Sequence, residues 1–354
     1  MRHFPGDHLK AIRLHGYGGI DQLRYEETED PQLTSPVHVL VKLKAASVNE
    51  LDVAIRRGRS RAPRGFPHVL GSDASGTIVA VGSEVRGVKP GDDVCLYPAT
   101  SCGVCDACRD EQEHMCGERT LLGEVEAGTY AEYISLPARN CYPIPVGMSF
   151  EEAAALPVAY TSAWRMLIGD AELRPGEWVV VKSLRPGVTA AALEIAVSVG
   201  ARVIVTSSSE EALARAARLG ARYGIDERAA DFVREIRDLT RKHGADVLVD
   251  CAGGEGWCKN LSALARGGRL VAYGPAVANP AQTDLRRIFW NHLKVLGSTL
   301  GTRADFGKVL NYAAGARARP LIDEVIPLKD AARAHERMES GKGLGKIVLS
   351  MESS

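Results

Sequence analysis

The chain carries no excess of charge of either sign. Its 44 lysines and arginines are balanced by 44 aspartates and glutamates over 354 residues, so no global field recruits nucleic acid or an anionic membrane. No apolar run approaches the roughly 20 residues needed to cross a bilayer. The opening MRHFPGDHLKAIRL lacks the apolar core of a secretory signal. Internal repeats and low-complexity tracts are missing as well. These absences lead to the expectation of a cytoplasmic protein in a reducing compartment, working on a small molecule and not on nucleic acid or membrane. What is present is ordinary for a soluble enzyme, with 45% hydrophobic and 25% charged residues. The length favours two domains, because a single core stops growing before this size.

Residues 10–145 show short alternating segments broken by glycine and proline, among them HVLVKLKAASV, GTIVAVG and AEYISLP. That texture predicts a β-rich, barrel-like domain with irregular loops. Ser149 with Glu152 three residues on forms a capping-box pattern ahead of an alanine-rich helix. From Trp178 the rhythm changes. WVVV, ARVIVTS, ADVLVDCAG, GRLVAYG and HLKVLGST read as buried strands. Between them GVTAAALEIAVSVG, SEEALARAARLGA, DFVREIRDLTRKHG and NLSALARG read as helices. Strands apolar along their whole length and alternating with helices predict a parallel, doubly wound sheet covered on both faces. A tail of helix, strand, helix and strand after about residue 300 can return to complete the first domain. The expected division is 1–157 with 300–354, and 158–299, with the functional cleft between the two.

Four of the eight cysteines, Cys102, Cys105, Cys108 and Cys116, crowd into SCGVCDACRDEQEHMC. Two-residue gaps let neighbouring thiolates converge on one ion, and the longer gap brings in the fourth from across a loop. Four thiolates fill tetrahedral zinc and leave no open position, so the pattern predicts one structural zinc per chain in a lobe at about 100–118. The remaining Cys95, Cys141, Cys251 and Cys258 are scattered and read as packing residues.

The cysteine lobe resembles that of the medium-chain zinc alcohol dehydrogenases. The flanking VNELDVAIRRG, PHVLGSDASGTIVAVGSEV, GTYAEYISLP, SFEEAAALPVAYTSAW, LARGGRLVAYG and DLRRIFWNHLKVLGST look like the quinone-oxidoreductase-like branch. The resemblance runs over nearly the whole chain. It implies an α/β protein with a β-rich GroES-like catalytic domain and a Rossmann nucleotide-binding domain, assembled as a homodimer or homotetramer.

Where those alcohol dehydrogenases hold a catalytic zinc, this chain has Asn49, then Gly71-Ser72-Asp73, then Pro157-Val158-Ala159. An amide, a hydroxyl and apolar groups cannot hold a catalytic zinc. Leu51 replaces the relay hydroxyl. The resemblance therefore implies zinc-free hydride transfer from NADPH to a quinone or a conjugated carbonyl or enoyl substrate. Asn49 and Asp52 match the N-x-x-D pattern of the branch, the asparagine being implied to face the nicotinamide. Asp52 is read as a loop-fixing carboxylate ahead of a proton donor. Thr161, Asp250 to Gly253, Tyr273, Gly274 and Gly297 to Thr299 (Ser298 included) match cofactor-facing motifs.

The first strand-to-helix turn is short of glycine. It reads Val181-Lys182-Ser183-Leu184-Arg185-Pro186-Gly187-Val188-Thr189, and only Gly187 remains of several glycines. Pro186 has no N–H to offer a pyrophosphate, and Thr189 occupies a close-packing position. Either Arg185 and Lys182 replace the lost donors with charge, or the site is redox-silent and the fold acts as a lyase, a cyclase or a ligand-binding protein. Ser207 and Ser208 stand where NAD-preferring proteins place an acid against the ribose 2′-hydroxyl, which favours NADP(H), with Arg215 the nearest helical cation. Arg56, Arg57, Arg59, Arg61 and Arg64 form a basic run, read as a solvated loop ahead of a device for steering anions.

Overall fold

The computed structural model describes residues 9–351 apart from 34, 62, 229–230, 252, 275–280, 316–318, 342 and 344. Ala252, within the DCAGG motif, lies outside the described residues. The strands in chain order are β1 (Leu9–Leu14), β2 (Leu23–Thr28), β3 (His38–Ser47), β4 (His68–Val69), β5 (Asp73–Val81) and β6 (Asp93–Leu96). They continue as β7 (Ala99–Thr100), β8 (Thr120–Leu121), β9 (Tyr133–Pro137), β10 (Cys141–Pro143), β11 (Trp178–Val181) and β12 (Arg202–Ser207). The last are β13 (Tyr223–Asp226), β14 (Ala245–Asp250), β15 (Leu264–Tyr273), β16 (Lys294–Ser298), β17 (Ile322–Pro327) and β18 (Lys346–Ser350).

The chain divides into two units, Met1–Val158 with Thr302–Ser354, and Ala159–Gly301. In the first, a sheet runs β10-β6-β5-β3-β18-β17, with β9 also pairing to β3. The tail adds two strands to this sheet: β18 pairs antiparallel with β3, and β17 lies parallel to β18. Val39, Val41 and Leu43 of β3 pack with Ile78, Ile134, Leu136 and Ile347 in one core. Full burial of each such aliphatic side chain stabilises the fold by about 1.5–3 kcal/mol. Ser149 caps the helix Phe150–Ala154 as expected, its Oγ accepting from Glu152 N–H and its own N–H donating to the Glu152 carboxylate.

The second unit is a six-stranded parallel sheet ordered β13-β12-β11-β14-β15-β16. The order reverses between β11 and β14, the doubly wound arrangement expected from the apolar strands. All of β11 is buried. Two local readings are corrected. NLSALARG is helical only to Ala263, and Leu264–Tyr273 is one strand. Leu264 is drawn out of the helix by pairing with Ala245 of β14, and this tertiary contact overrides local propensity. Strand β13 was not foreseen, because YGID has a central glycine and mixed polarity and lies at the sheet edge.

Among the described residues, no helix is long and apolar enough to cross a membrane.

Candidate functional site

The four-cysteine lobe is built within one short segment. Cys105 leads into the short helix Asp106–Arg109, which carries Cys108. The Cys102 sulfur accepts from Val104 N–H at 3.5 Å and Cys105 N–H at 3.4 Å. These two donors push the Cys102 thiol down to about 6, so it is readily a thiolate. Cys102 Sγ lies 3.9 Å from Cys108 Sγ and 3.6 Å from Cys116 Sγ. All four sulfurs fall within 4.8 Å of one another. Thiolates 2.3 Å from a tetrahedral zinc stand about 3.8 Å apart, so the donor set fits that ion and leaves it no open coordination position. Glu113 anchors the lobe by accepting from Arg303 N–H at 2.6 Å, and Arg139 donates to Ser101 O at 2.9 Å. Of the other cysteines, Cys95 and Cys141 are buried as expected, whereas Cys258 is exposed and does not pack.

The residues in the catalytic-zinc positions form a closed hub within the first unit. The register Ser47↔Asp73 brings the end of β3 against the start of β5. Lys346 opens β18 on the other side of β3. Asp73 Oδ2 accepts from Ser47 Oγ at 2.8 Å, Asn49 Nδ2 at 2.9 Å and Lys346 Nζ at 3.2 Å. Its Oδ1 accepts from Val158 N–H at 2.8 Å. Asn49 Oδ1 accepts from Lys346 Nζ at 2.6 Å. Ser72 Oγ donates to Leu122 O at 2.7 Å. Each of these side chains is thus hydrogen-bonded within the unit.

Asp52 lies beneath this hub with no exposed surface. Its Oδ2 accepts from Asn49 N–H at 2.8 Å and Tyr130 O–H at 3.0 Å, while Oδ1 is buried without a partner. Burial, with Asp73 adding to it, raises its carboxyl to about 7 against the lowering effect of those two hydrogen bonds. Its contacts are those of a helix-capping group. The basic run is mostly paired. Arg56 is fully buried, donates to Gly18 O at 2.6 Å and pairs with Glu339 at 2.7 Å. Arg57 pairs with Glu339 and Arg64 with Glu126, both at 2.7 Å, and Arg61 donates to Arg119 O at 3.0 Å.

In the second unit, the turn after β11 folds back on itself. Ser183, at a left-handed φ of 53°, donates its N–H to Thr206 Oγ1 at 3.0 Å. Leu184 N–H goes to Thr206 O at 2.9 Å, and Arg185 N–H goes to Thr189 Oγ1 at 2.8 Å. With Pro186 lacking a hydrogen, the donors left for an anion begin at Gly187 (φ 93°) and the start of the helix Val188–Val199. Lys182 is drawn away from the turn. Its Nζ lies 3.7 Å from Asp250 Oδ1 and over the Phe232 ring. Asp250 Oδ2 accepts from Gly253 N–H and Asn260 Nδ2, each at 3.0 Å.

Tyr273 and Ser298 are register partners at the ends of β15 and β16, and Gly274 follows at φ 83°. Thr161, on the helix Pro157–Trp164, is fully buried, and its Oγ1 has no hydrogen-bond partner among the described residues. Ser207 is buried and its Oγ accepts from Ser209 N–H at 3.1 Å; Ser208 is exposed. Arg215 is also buried; burial raises the nearby Glu194 carboxyl, against the lowering effects of the Tyr160 hydroxyl and the Arg215 charge.

Sequence reasoning missed Lys346, Tyr130 and Glu227. Lys346 opens the last strand of the tail, KIVLS, and only strand pairing shows what it reaches. Glu227 follows the unforeseen strand β13. It accepts from Ser183 Oγ at 2.9 Å and from Thr206 Oγ1.

An alcohol dehydrogenase GroES-like domain model matches residues 35–146, and a zinc-binding dehydrogenase model matches residues 187–315. A zinc-type alcohol dehydrogenase-like protein of Schizosaccharomyces pombe is 32% identical, over 94% of this chain and 96% of its own. The quinone oxidoreductase of Mus musculus is 29% identical, over 96% and 97%. A solved NAD-dependent alcohol dehydrogenase superposes with a TM-score of 0.92 at 38% identity, covering 97% of this chain and all of the other. With its GroES-like and doubly wound units and its cysteine lobe, the chain belongs to the medium-chain dehydrogenase/reductase superfamily and is an oxidoreductase of that family.

Proposed function

We propose that the protein is a nicotinamide-dependent reductase of a quinone or of a carbonyl-conjugated double bond, working without a catalytic zinc. The observation that carries this reading is the closed hub. Asp73 receives four hydrogen bonds, and Asn49 is held from both ends of its amide, so these side chains are held by one another and by Lys346, and an amide with a serine hydroxyl does not supply the thiolate and imidazole donors of a catalytic zinc. Zinc-assisted alcohol oxidation is disfavoured by this donor chemistry.

A bound nicotinamide dinucleotide would supply the hydride. The residues that would hold it are Gly187 and the first turn of the helix after it, Arg185, Gly253, Gly274 and Ser298, with the unpartnered Thr161 hydroxyl and Tyr273 on the nicotinamide side. On the dinucleotide itself, Ser207 and Ser208 favour NADPH by their small size, and Glu227 beside them acts in the opposite sense. The role proposed for the chain is to position and to exclude water. Lys346 and Asp73 fix the rotamer of Asn49, and a preorganised amide costs little reorganisation during reaction. Asp52 has no exposed surface, so the proton that completes reduction is assigned to solvent.

A second reading, redox-silent lyase, cyclase or ligand-binding chemistry, draws support from the consumed turn, where Ser183, Leu184 and Arg185 N–H groups are all satisfied internally. Titration of the purified protein with NADH and NADPH, followed by assay on a panel of quinones and enones, separates the two. Saturable binding with turnover on that panel supports the reductase. Absence of binding to either dinucleotide favours the second reading. Turnover confined to simple alcohols with NAD⁺ or NADP⁺ contradicts the proposal.

A further inference from the structure

We propose that Glu227 selects NAD(H) over NADP(H), by presenting a carboxylate to the adenosine ribose that accepts its 2′-hydroxyl and repels a 2′-phosphate. This rests on the dinucleotide reading above.

Doubly wound nucleotide-binding units usually take that carboxylate from the end of the second strand. Here β12 ends in serines, and the acid comes from the neighbouring strand. The register Ser207↔Asp226 sets the end of β13 beside the end of β12, and Glu227 N–H donates to Ser207 O at 3.2 Å. From there the side chain crosses the end of β12. Its Oε1 accepts from Thr206 Oγ1 and, at 2.9 Å, from Ser183 Oγ in the turn after β11. Thr206 Oγ1 in turn accepts from Ser183 N–H at 3.0 Å, so the carboxylate is locked between the two strand ends that flank an adenosine ribose in this fold. Glu227 is half-buried, and among the described residues no group donates to Oε2.

The cations that could offset it are engaged elsewhere. Arg215 is buried in its helix, where it faces Glu194. Arg228, next in sequence, forms a bidentate pair with Asp226 at 2.8 and 3.0 Å. Lys182 lies by Asp250. Ser207 Oγ already accepts from Ser209 N–H. A dianionic 2′-phosphate would thus meet a fixed anion, and like charges brought together act as a device for rejecting the wrong ligand.

The test uses the full-length, zinc-loaded protein titrated calorimetrically with NADH, NADPH, 5′-AMP and adenosine 2′,5′-bisphosphate, the last two isolating the ribose end. We expect NADH to bind at least about tenfold more tightly than NADPH, and AMP more tightly than the bisphosphate. Glu227→Gln is nearly isosteric and still accepts from Ser183 and Thr206. It should bring the two dinucleotides to within about threefold of each other, mainly by strengthening NADPH. Tighter binding of NADPH to the unaltered protein overturns the proposal while leaving the dinucleotide reading intact, as does a preference unchanged in Glu227→Gln. Failure of all four ligands to bind overturns both.

Discussion

Among single residues, the deciding facts are polar groups that the fold takes out of water. Asp52 is the clearest case, because burial carries its carboxyl from an ordinary 3.8 to about 7. The folded-state value lies above the unfolded one, so folding takes up a proton between about pH 4 and pH 7. The resulting penalty is absent below about pH 4, grows through that window and is complete above about pH 7, reaching roughly 4 kcal/mol at 1.36 kcal/mol per pH unit. Asp52→Asn should remove this dependence. Urea unfolding at pH 5 and pH 8 should show the variant gaining on the parent at the higher pH by about 2–3 kcal/mol, and an unchanged difference would mean that Asp52 titrates normally. Lys346 makes the opposite case. Its side chain is 5% exposed, and its amine meets Asp73, Asn49 and Val48 O. Lys346→Met leaves Asp73 buried with its compensating charge gone, and should cost about 3–5 kcal/mol in chemical denaturation. Neither effect could be read from the letters, since two partners of Lys346 lie 297 and 273 residues away in sequence and Tyr130 lies 78 from Asp52.

At the scale of elements, the turn between β11 and its following helix combines a legible signal with a hidden one. The loss of glycines is visible in KSLRPGVT, and so is the missing N–H at Pro186. What the string does not show is that Thr189 Oγ1 reaches back to Arg185 N–H, or that Thr206 takes the N–H groups of Ser183 and Leu184. Thr189→Gly, which removes the internal acceptor, should free Arg185 N–H for an anion. Combined with Pro186→Gly it should strengthen dinucleotide binding by about three- to tenfold, a net hydrogen bond contributing about 0.5–1.5 kcal/mol. Weaker binding, measured calorimetrically, would show that Thr189 supports the turn more than it obstructs it. The misread end of NLSALARG belongs at this scale too, because β pairing with β14 claims Leu264 from a helix-like sequence.

At the scale of the whole molecule, the cysteine lobe is pinned to the body of its unit through Glu113–Arg303 and Arg139–Ser101. Structural zinc contributes folding free energy directly. Metal analysis should therefore return about one zinc per chain. Cys105→Ser should abolish retention of that zinc and lower the thermal midpoint by several degrees at the least, as expected when about 1 kcal/mol or more of stability is lost. A second stoichiometric zinc that survives in Cys105→Ser would contradict the closed hub around Asp73.

Features that depend on local periodicity and spacing were legible in the order of residues. The doubly wound unit follows from strands such as WVVV alternating with helices, the return of the tail from its order of elements, and the metal-binding lobe from four cysteines in one short segment. These are short-range patterns, each enforced within a few residues of backbone. Tertiary structure alone decided which polar groups remain available. Asn49, Ser72 and Asp73 were visible as departures from a metal-binding set, but only the pairing of β3 with β5 and β18 closes Asn49 and Asp73 on one another and on Lys346. Glu227 was invisible as a site residue, because its strand has no local signal and its partners, Ser183 and Thr206, come from two other strand ends. A hydrogen bond has a reach of about 3 Å, so the fold and not the order of residues chooses its partners.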